Sequence, residues 1–172
     1  SIMYLSIIVP IYNEKNILIK NINKIYNFFF NKFEFEIIIV NDGSNDGSDK
    51  ILSKLKLNNL KIISNKTNKG KGYSILKGIS ESEGKLILFT DADISTPINE
   101  FYKLRAKYEK GYDFVIGSRN QANSNVKIKQ SLLRIIMGKT FNFFIKFFLG
   151  LNYRDTQCGF KLFDSKKIKL IS

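Results

Sequence analysis

The segment Leu86-Ile87-Leu88-Phe89-Thr90-Asp91-Ala92-Asp93 joins a run of apolar residues to two acidic ones. The apolar run has the length of a β-strand and lacks alternation, which is typical of a parallel strand covered on both faces. Residues two apart in extended backbone point the same way and lie roughly 6–7 Å apart. The carboxylates of Asp91 and Asp93 would therefore repel each other unless a cation lay between them or one of them took up a proton.

Similar apolar segments recur along the chain and alternate with helical patterns. The predicted strands are 4–9, 35–41, 60–64, 85–90 and 113–117, and the predicted helices include 16–30, 46–57 and 97–109. Thr96 is expected to cap the last of these helices, with Pro97 at its first position. The alternation predicts one α/β domain with a largely parallel sheet, and such sheets bind ligands beyond the carboxyl ends of their strands.

Most of the residues that follow the predicted strands are polar, charged or glycine. In chain order these segments are Pro10-Ile11-Tyr12-Asn13-Glu14, Asn41–Ser48, Asn65–Gly72, Asp91–Asp93 and Gly117-Ser118-Arg119. We expect the four candidate carboxylates Glu14, Asp42, Asp91 and Asp93, several glycines and several cations to meet at one edge of the sheet.

Each acidic candidate also has a purely structural interpretation. Asp91 and Asp93 suit Mg²⁺ or Mn²⁺, which prefer oxygen ligands, but turn or capping carboxylates have the same pattern. Asp42 could accept hydrogen bonds from a base or ribose, or could serve only the turn that Gly43 permits. Glu14 could be no more than the favoured acid of a first helical turn.

The segment Asn68-Lys69-Gly70-Lys71-Gly72 places lysines beside flexible glycines. Its spacing is not that of a P-loop, and no G-x-G-x-x-G follows the first strand, which argues against P-loop NTPases and Rossmann dehydrogenases. Lys71 is a candidate to contact a bound diphosphate, and a solvated loop is the alternative.

The 172-residue chain contains no histidine and one cysteine, Cys158. This composition excludes histidine-based catalysis, His-ligated zinc sites and intrachain disulfides. Acid–base or metal chemistry must therefore come from carboxylates. Nothing marks Cys158 as a nucleophile, and we expect an inert apolar role for it.

Positive charge is concentrated late in the chain. The net charge is +13, and from Arg119 to Ser172 the sequence has 11 basic and two acidic residues. Within this part, 131–151 is rich in phenylalanine and is interrupted by Arg134, Lys139 and Lys146. The pattern favours a helix lying in a membrane interface over a central core helix.

No secretory signal peptide is recognisable at the amino terminus, and no apolar run of 18 residues without charge predicts a transmembrane helix. The sequence stops at Lys169-Leu170-Ile171-Ser172 within a helical pattern, so truncation at the C-terminus is expected.

Four of these motifs in this order, Val9–Glu14, Val40–Ser44, Asn68–Gly70 and Asp91–Asp93, together resemble the family 2 glycosyltransferases of the GT-A fold. Gly117-Ser118-Arg119 and Arg154–Phe163 narrow the resemblance to the dolichyl-phosphate β-glucosyltransferase branch, close to the dolichyl-phosphate mannose synthases. The resemblance implies a nucleotide-diphospho-sugar transferase fold, which is a Rossmann-like three-layer sandwich. We expect residues 1–125 to form the nucleotide-sugar-binding core and 126–172 an acceptor and membrane-interface segment of the same domain.

The resemblance implies an inverting, metal-dependent transferase that moves a hexose, expected to be glucose from UDP-glucose, onto a polyprenyl phosphate. It would act as a peripheral protein on the cytoplasmic face of a membrane, with Mg²⁺ or Mn²⁺ as cofactor. The residues expected to carry this function are the donor-binding Pro10, Tyr12, Glu14, Asp42, Lys71 and Asp91, the metal ligands Asp91 and Asp93, the acceptor-phosphate residues Arg119 and Arg134, and the catalytic carboxylates Asp91, Asp93 and Asp155.

Other functions fit parts of the sequence. A GDP-mannose-dependent polyprenyl-phosphate mannosyltransferase and a transferase that extends a cell-surface glycan keep the same fold. A phosphatase using Asp91 and Asp93 would usually carry that motif on its first strand, whereas here it follows the fourth. A basic membrane-binding module is the non-enzymatic alternative. Nucleic acid is not expected as a partner, because the aromatic residues cluster in one helical stretch.

Overall fold

The computed structural model describes residues 2–117 and 159–170, together with the backbone of Lys127–Ile128. Its strands are β1 (Leu5–Ile11), β2 (Phe35–Asn41), β3 (Leu60–Ser64), β4 (Leu86–Thr90), β5 (Phe114–Ile116), β6 (Lys127–Ile128) and β7 (Phe160–Asp164). Its helices are α1 (Leu18–Phe29), α2 (Ser48–Leu52), α3 (Lys71–Ser80), α4 (Phe101–Glu109) and α5 (Ser165–Lys169), with a 3₁₀ turn at Ile98–Glu100.

All seven strands form one sheet in the order β3-β2-β1-β4-β7-β5-β6. The strands β1 to β4 pair in parallel, while β7 runs antiparallel to both β4 and β5, and β6 runs antiparallel to β5. Five strands, β1 to β5, therefore point in one direction. This confirms the predicted α/β fold with a mostly parallel sheet.

Both faces of the sheet centre are covered. Neighbouring residues of a strand point to opposite faces, and Ile7 and Ile8 in β1 are both completely buried. Gly78 of α3 packs against the side chain of Ile8. The continuous apolar pattern of β1, β2 and β4 thus predicted their burial correctly, whereas β3 lies at the sheet edge with Ile62 exposed.

The predicted helix 16–30 is confirmed by α1. Its buried side chains recur at helical spacing and are Leu18, Ile22, Ile25 and Phe29. Phe29 contacts the ring of Phe35 in β2 and that of Phe101 in α4. The apolar stripe therefore predicted both the helix and the side that packs onto the core.

Two helix predictions need correction. The helix expected over 46–57 is only Ser48–Leu52, and Gly47 precedes it in a left-handed conformation with φ of 88°. Thr96 does not cap a helix at Pro97, because a 3₁₀ turn intervenes and α4 begins at Phe101. The 3₁₀ turn has no capping bond from a side chain.

Strand β7 was absent from the sequence-based prediction. It comes from the late part of the chain but is inserted between β4 and β5 in the middle of the sheet. Phe160, Leu162 and Phe163 are buried there, as is Lys161, which is 1% exposed. Part of the predicted segment 126–172 therefore belongs to the central sheet, and the division at residue 125 remains a prediction.

Among the described residues, no helix has both the length and the apolar character needed to cross a bilayer. The phenylalanine-rich segment 131–151 lies outside the described residues, so its placement in a membrane interface remains a prediction. The same holds for Cys158.

Candidate functional site

The candidate site lies at the carboxyl edge of the parallel strands. Strands β2, β1 and β4 are neighbours, so the residues that follow them emerge side by side. Asp42 follows β2, Glu14 follows β1 and Asp91 follows β4. The predicted convergence of strand ends is thus present in the backbone.

An ion pair joins β4 to α3 at this edge. The ammonium Nζ of Lys71 lies 2.5 Å from Oδ1 of Asp91. The Lys71 side chain is 47% exposed and the Asp91 side chain 18% exposed, so solvent reaches the ammonium more than the carboxylate. Lys71 Nζ also lies 5.4 Å from the ring centroid of Phe89, within the range of a cation–π contact.

A tight turn directs the chain away immediately after Asp91. The backbone N–H of Ile94 donates to the carbonyl of Asp91 at 3.0 Å, and Ile94 has φ of 49°. A left-handed conformation is costly for a β-branched residue, roughly 1–3 kcal/mol, and such strain gathers at functional sites. Asp93 is exposed within this turn, and its Oδ1 accepts a hydrogen bond from the backbone N–H of Ser95 at 2.9 Å.

Glu14 shares the electrostatic field of these carboxylates. Its pKa is raised above the usual value, first by partial burial and then by the negative charges of Asp93, Asp91 and Asp46. The charge of Lys71 acts in the opposite direction. The negative charges of Asp91 and Asp93 therefore act on Glu14, and a cation bound among them would relieve that repulsion.

Asp42 is buried and organises the loop that precedes α3. Its Oδ1 accepts hydrogen bonds from Asn65 Nδ2 at 2.8 Å and from the backbone N–H of Lys69 at 2.9 Å. Its Oδ2 accepts from the backbone N–H of Gly70 at 2.8 Å. These bonds support the structural alternative for Asp42, and they place Lys71 at the start of α3. A contact to a nucleoside remains a prediction.

Gly43 allows the loops after β2 and β3 to approach closely. It has φ of 72°, and a Cβ at this position would lie 2.6 Å from the carbonyl carbon of Thr67. Any other residue would therefore push the 65–70 loop away from Asp42. The predicted role of Gly43 in the turn is confirmed, with close packing as a second reason for glycine.

The loop after β1 is fastened to the loop after β2 by residues that sequence reasoning missed. The backbone N–H of Asn13 donates to Ser44 Oγ, and Asn13 Oδ1 accepts from the backbone N–H of Asn45, both at 2.9 Å. The backbone N–H of Lys15 donates to Asp46 Oδ2 at 3.0 Å. Asn13 has φ of 54°, a conformation that asparagine tolerates, so its residue type was the available signal.

Pro10 and Tyr12 lie on the same side of the molecule as this network. Pro10 is half-buried in β1, and Tyr12 is 46% exposed just beyond its end. An exposed aromatic ring at this edge is available to stack on a base or to hydrogen-bond through its hydroxyl. The contacts of Pro10 and Tyr12 with a donor remain predictions.

The acidic residues fit a divalent cation that is shared with a ligand. Among residues 2–117 and 159–170, no three or more His, Cys, Asp or Glu side chains are grouped to hold a metal ion. Mg²⁺ commonly binds one or two protein carboxylates and completes its shell with waters and substrate phosphates. Asp91 and Asp93 match that type of donor set, although Asp91 is paired with Lys71 in this structure.

Three predicted site residues, Arg119, Arg134 and Asp155, lie outside the described residues. Their roles in acceptor binding and catalysis therefore remain predictions.

Comparison with known proteins identifies relatives. The chain is 35% identical over 184 residues to a dolichyl-phosphate beta-glucosyltransferase of Dictyostelium discoideum, covering 98% of this chain and 56% of that protein. It is 32% identical over 179 residues to the human dolichyl-phosphate beta-glucosyltransferase, covering 92% of this chain and 54% of that protein. The chain thus spans about half the length of the curated relatives it matches.

A solved structure shares the fold. A mannosyltransferase from Pyrobaculum calidifontis, solved with GDP-Man and Mn²⁺, superposes with a TM-score of 0.64. The match covers 98% of this chain and 46% of that one at 15% identity, so the likeness concerns the fold alone. The model of the glycosyl transferase family 2 matches residues 6–171. The chain therefore belongs to glycosyl transferase family 2, as its motifs indicated.

Proposed function

We propose that this chain is the donor-binding and catalytic part of an enzyme that transfers glucose from UDP-glucose to a dolichyl-type polyprenyl phosphate. The observation that carries the proposal is the ion pair of Lys71 with Asp91 at the carboxyl edge of the sheet, where the charges of Asp91 and Asp93 also reach Glu14. Relatives named dolichyl-phosphate beta-glucosyltransferase, at 31–35% identity, support glucose as the transferred sugar and dolichyl phosphate as the acceptor.

The donor half of the reaction would use residues at the strand ends. We assign Pro10, Tyr12, Glu14 and Asp42 to the nucleoside pocket, because they lie at or just beyond the carboxyl ends of the neighbouring strands β1 and β2. Asp42 would act partly through the 65–70 loop, since its three hydrogen bonds hold this loop just before the start of α3.

The diphosphate would lie over Lys71, Asp91 and Asp93. Lys71 is exposed enough to leave Asp91 and to contact a phosphate oxygen through a charge-assisted hydrogen bond. Asp91 and Asp93 would hold Mg²⁺ or Mn²⁺, which when bound stabilises the charge that develops on the leaving diphosphate.

The acceptor half requires no histidine. A phosphate monoester is ionised at neutral pH, so its oxygen can attack the anomeric carbon without a general base. Attack from the face opposite the departing nucleotide inverts the configuration. We assign Arg119 and Arg134 to the acceptor phosphate, because arginine aligns phosphates through paired hydrogen bonds, and Asp155 to a catalytic carboxylate.

The polyprenyl acceptor places the reaction at a membrane surface. We assign the basic, phenylalanine-rich segment 131–151 to the interface, where rings enter the acyl boundary and cations reach the head groups. A cytoplasmic orientation is part of the proposal, and it rests on the resemblance alone.

A ligand-induced thermal shift tests the donor assignment. We expect UDP-glucose with Mn²⁺ to raise Tm more than the same concentration of UDP, GDP or GDP-mannose, because the ligand with the lowest Kd stabilises the folded state most. A ligand at 100 times its Kd stabilises the folded state by about 2.7 kcal/mol. Omitting Mn²⁺ should reduce the shift. A shift with GDP-mannose alone would replace glucose by mannose, and no shift with any of the four would overturn the proposal.

Transfer to the acceptor is tested separately. Arg134→Ala should weaken the use of dolichyl phosphate while leaving the affinity for UDP-glucose unchanged, as calorimetry and a radiolabel transfer assay can measure. Transfer to a soluble glycan in place of dolichyl phosphate would support the glycan-extending alternative. Equal loss of donor and acceptor binding would contradict the role given to Arg134.

A further inference from the structure

Gly159 lies directly against the proposed catalytic carboxylate. It is buried immediately before β7, and its carbonyl accepts a hydrogen bond from the backbone N–H of Asp91 at 3.0 Å. Neither strand β7 nor this contact follows from the sequence pattern.

The Asp91 carboxylate occupies the space that a side chain at residue 159 would need. A Cβ built on Gly159 would overlap Oδ2, Cγ and Oδ1 of Asp91. The backbone of Gly159 is not in the left-handed region, so conformational freedom is not the reason for glycine here. What the position requires is the absence of a side chain.

Strand β7 cannot easily move to make room. Phe160 pairs with Thr90 of β4 on one side, and its carbonyl accepts from the backbone N–H of Gly117 at 2.8 Å on the other. Because neighbouring chain segments hold β7 from both sides, an added Cβ would displace the carboxylate of Asp91 rather than the strand. The 2.5 Å contact between Asp91 and Lys71 would then be lost.

We propose that Gly159 is a positioning residue for Asp91. By leaving its Cβ position empty, it lets the carboxylate rest on β7 and face Lys71 and the diphosphate site. The inference rests on the proposed function insofar as Asp91 engages the donor. Its structural part, the clash between residue 159 and the Asp91 carboxylate, stands independently.

A thermal double-mutant cycle without any ligand tests the clash. We expect Gly159→Ala to lower Tm, and we expect most of that loss to disappear in the Asp91→Ala background, because this substitution removes all three overlapping atoms. Gly117→Ala is the matched control, since its Cβ would meet Phe160 and not Asp91. Its effect on Tm should be the same in both backgrounds.

If Gly159→Ala does not fold, recovery of a folded protein in the double variant gives the same support. An equal loss of Tm in both backgrounds, or a double variant that also fails to fold, would overturn the proposed contact.

Donor affinity tests the positioning role. We expect Gly159→Ala to weaken UDP-glucose binding in the presence of Mn²⁺ at least about tenfold, equivalent to about 1.4 kcal/mol, and the double variant to bind no worse than Asp91→Ala. Binding by Gly159→Ala at the wild-type level would overturn the role. If the wild-type protein binds no nucleotide sugar, the proposed function fails, while the thermal cycle still decides whether Gly159 makes room for Asp91.

Discussion

Carboxylates at the two edges of the same sheet have different electrostatic surroundings. At the amino edge, Glu36 lies near the start of β2 and is 8% exposed, and its carboxylate is hydrogen-bonded within the protein. Its Oε1 accepts from Ser6 Oγ at 2.5 Å and from the backbone N–H of Glu83 at 2.7 Å. Ser6 Oγ in turn accepts from the backbone N–H of Gly84 at 2.8 Å.

At the carboxyl edge, acidic side chains repel one another. The pKa of Glu14 is raised by burial and by Asp93 and Asp91, while Lys71 offsets only part of that charge. The difference distinguishes carboxylates that stabilise the fold from carboxylates that are available to bind a ligand. A buried charge with internal donors is structural, whereas a cluster with excess negative charge is stabilised further by a ligand that brings positive charge.

The largest effect is expected from the carboxyl edge. Asp93→Ala should lower glucosyl transfer at least about 100-fold, because the cation proposed to stabilise the leaving diphosphate would lose a ligand. Its Tm should change little, since Asp93 is exposed. Asp49→Ala, which removes an exposed acid from α2, is the control. Full transfer by Asp93→Ala would show that the metal assignment is wrong.

At the amino edge we expect a substitution to lower stability, whereas at the carboxyl edge we expect it to lower activity. Glu36→Ala should lower the free energy of unfolding by about 2–3 kcal/mol, because Ser6 and the Glu83 N–H lose their buried acceptor. Denaturant unfolding measures the loss. Glu83→Ala keeps the donating backbone N–H and should cost far less. A larger loss in Glu83→Ala than in Glu36→Ala would contradict the network.

A smaller effect is expected for Tyr108, also near the amino edge. Its hydroxyl donates to Asp164 Oδ2 at 2.9 Å, and burial, followed by that bond, raises the pKa of Tyr108 to about 12. Tyr108→Phe should therefore cost about 1 kcal/mol at neutral pH.

The pH dependence of this contribution has a fixed sign. Because the folded pKa exceeds the unfolded value near 10, the contribution is complete below pH 10 and is lost as the pH rises toward 12. Chemical unfolding of wild type and Tyr108→Phe between pH 8 and 12 should show the two stabilities converging. Tyr102→Phe, an exposed position on α4, should show no such convergence.

The smallest effect is expected from removing the charge of Glu14, and it tests directly the repulsion of this charge by Asp91 and Asp93. Glu14→Gln should raise the stability of the ligand-free protein at pH 7, by no more than about 0.5 kcal/mol, because it removes a charge next to Asp91 and Asp93. Since the folded pKa of Glu14 is raised, its ionised form destabilises the fold, and the gain should shrink as the pH falls toward 4. Thermal melts at pH 4 and pH 7, with Asp49→Asn as control, measure both. A loss of stability at pH 7 would contradict mutual repulsion.

Much of the donor side could be predicted because local pattern and topology act together there. Continuous apolar runs located β1, β2 and β4, and the geometry of parallel sheets then brought Glu14, Asp42 and Asp91 to one edge. The particular bonds could not be predicted in this way. Whether Lys71 reaches Asp91 depends on the loop that Asp42 holds, and no spacing in the sequence encodes that path.

The antiparallel strand β7 was missed for a physical reason. Its apolar positions flank a lysine, and Lys161 is buried, so the usual relation between charge and exposure fails there. Its place between β4 and β5 depends on pairing with segments far away in the chain. The contact between Gly159 and Asp91 depends on that placement and was therefore equally hidden.

The late position of β7 in the chain also has a consequence during synthesis. Until Phe160–Asp164 leave the ribosome, one side of β4 has no strand to accept its backbone hydrogen bonds, although β1 already covers the other side. A nascent chain that pauses before this point presents an open apolar strand edge to every neighbouring polypeptide. Chaperone demand should therefore peak over the stretch of translation between β4 and β7 and fall once the central gap is filled.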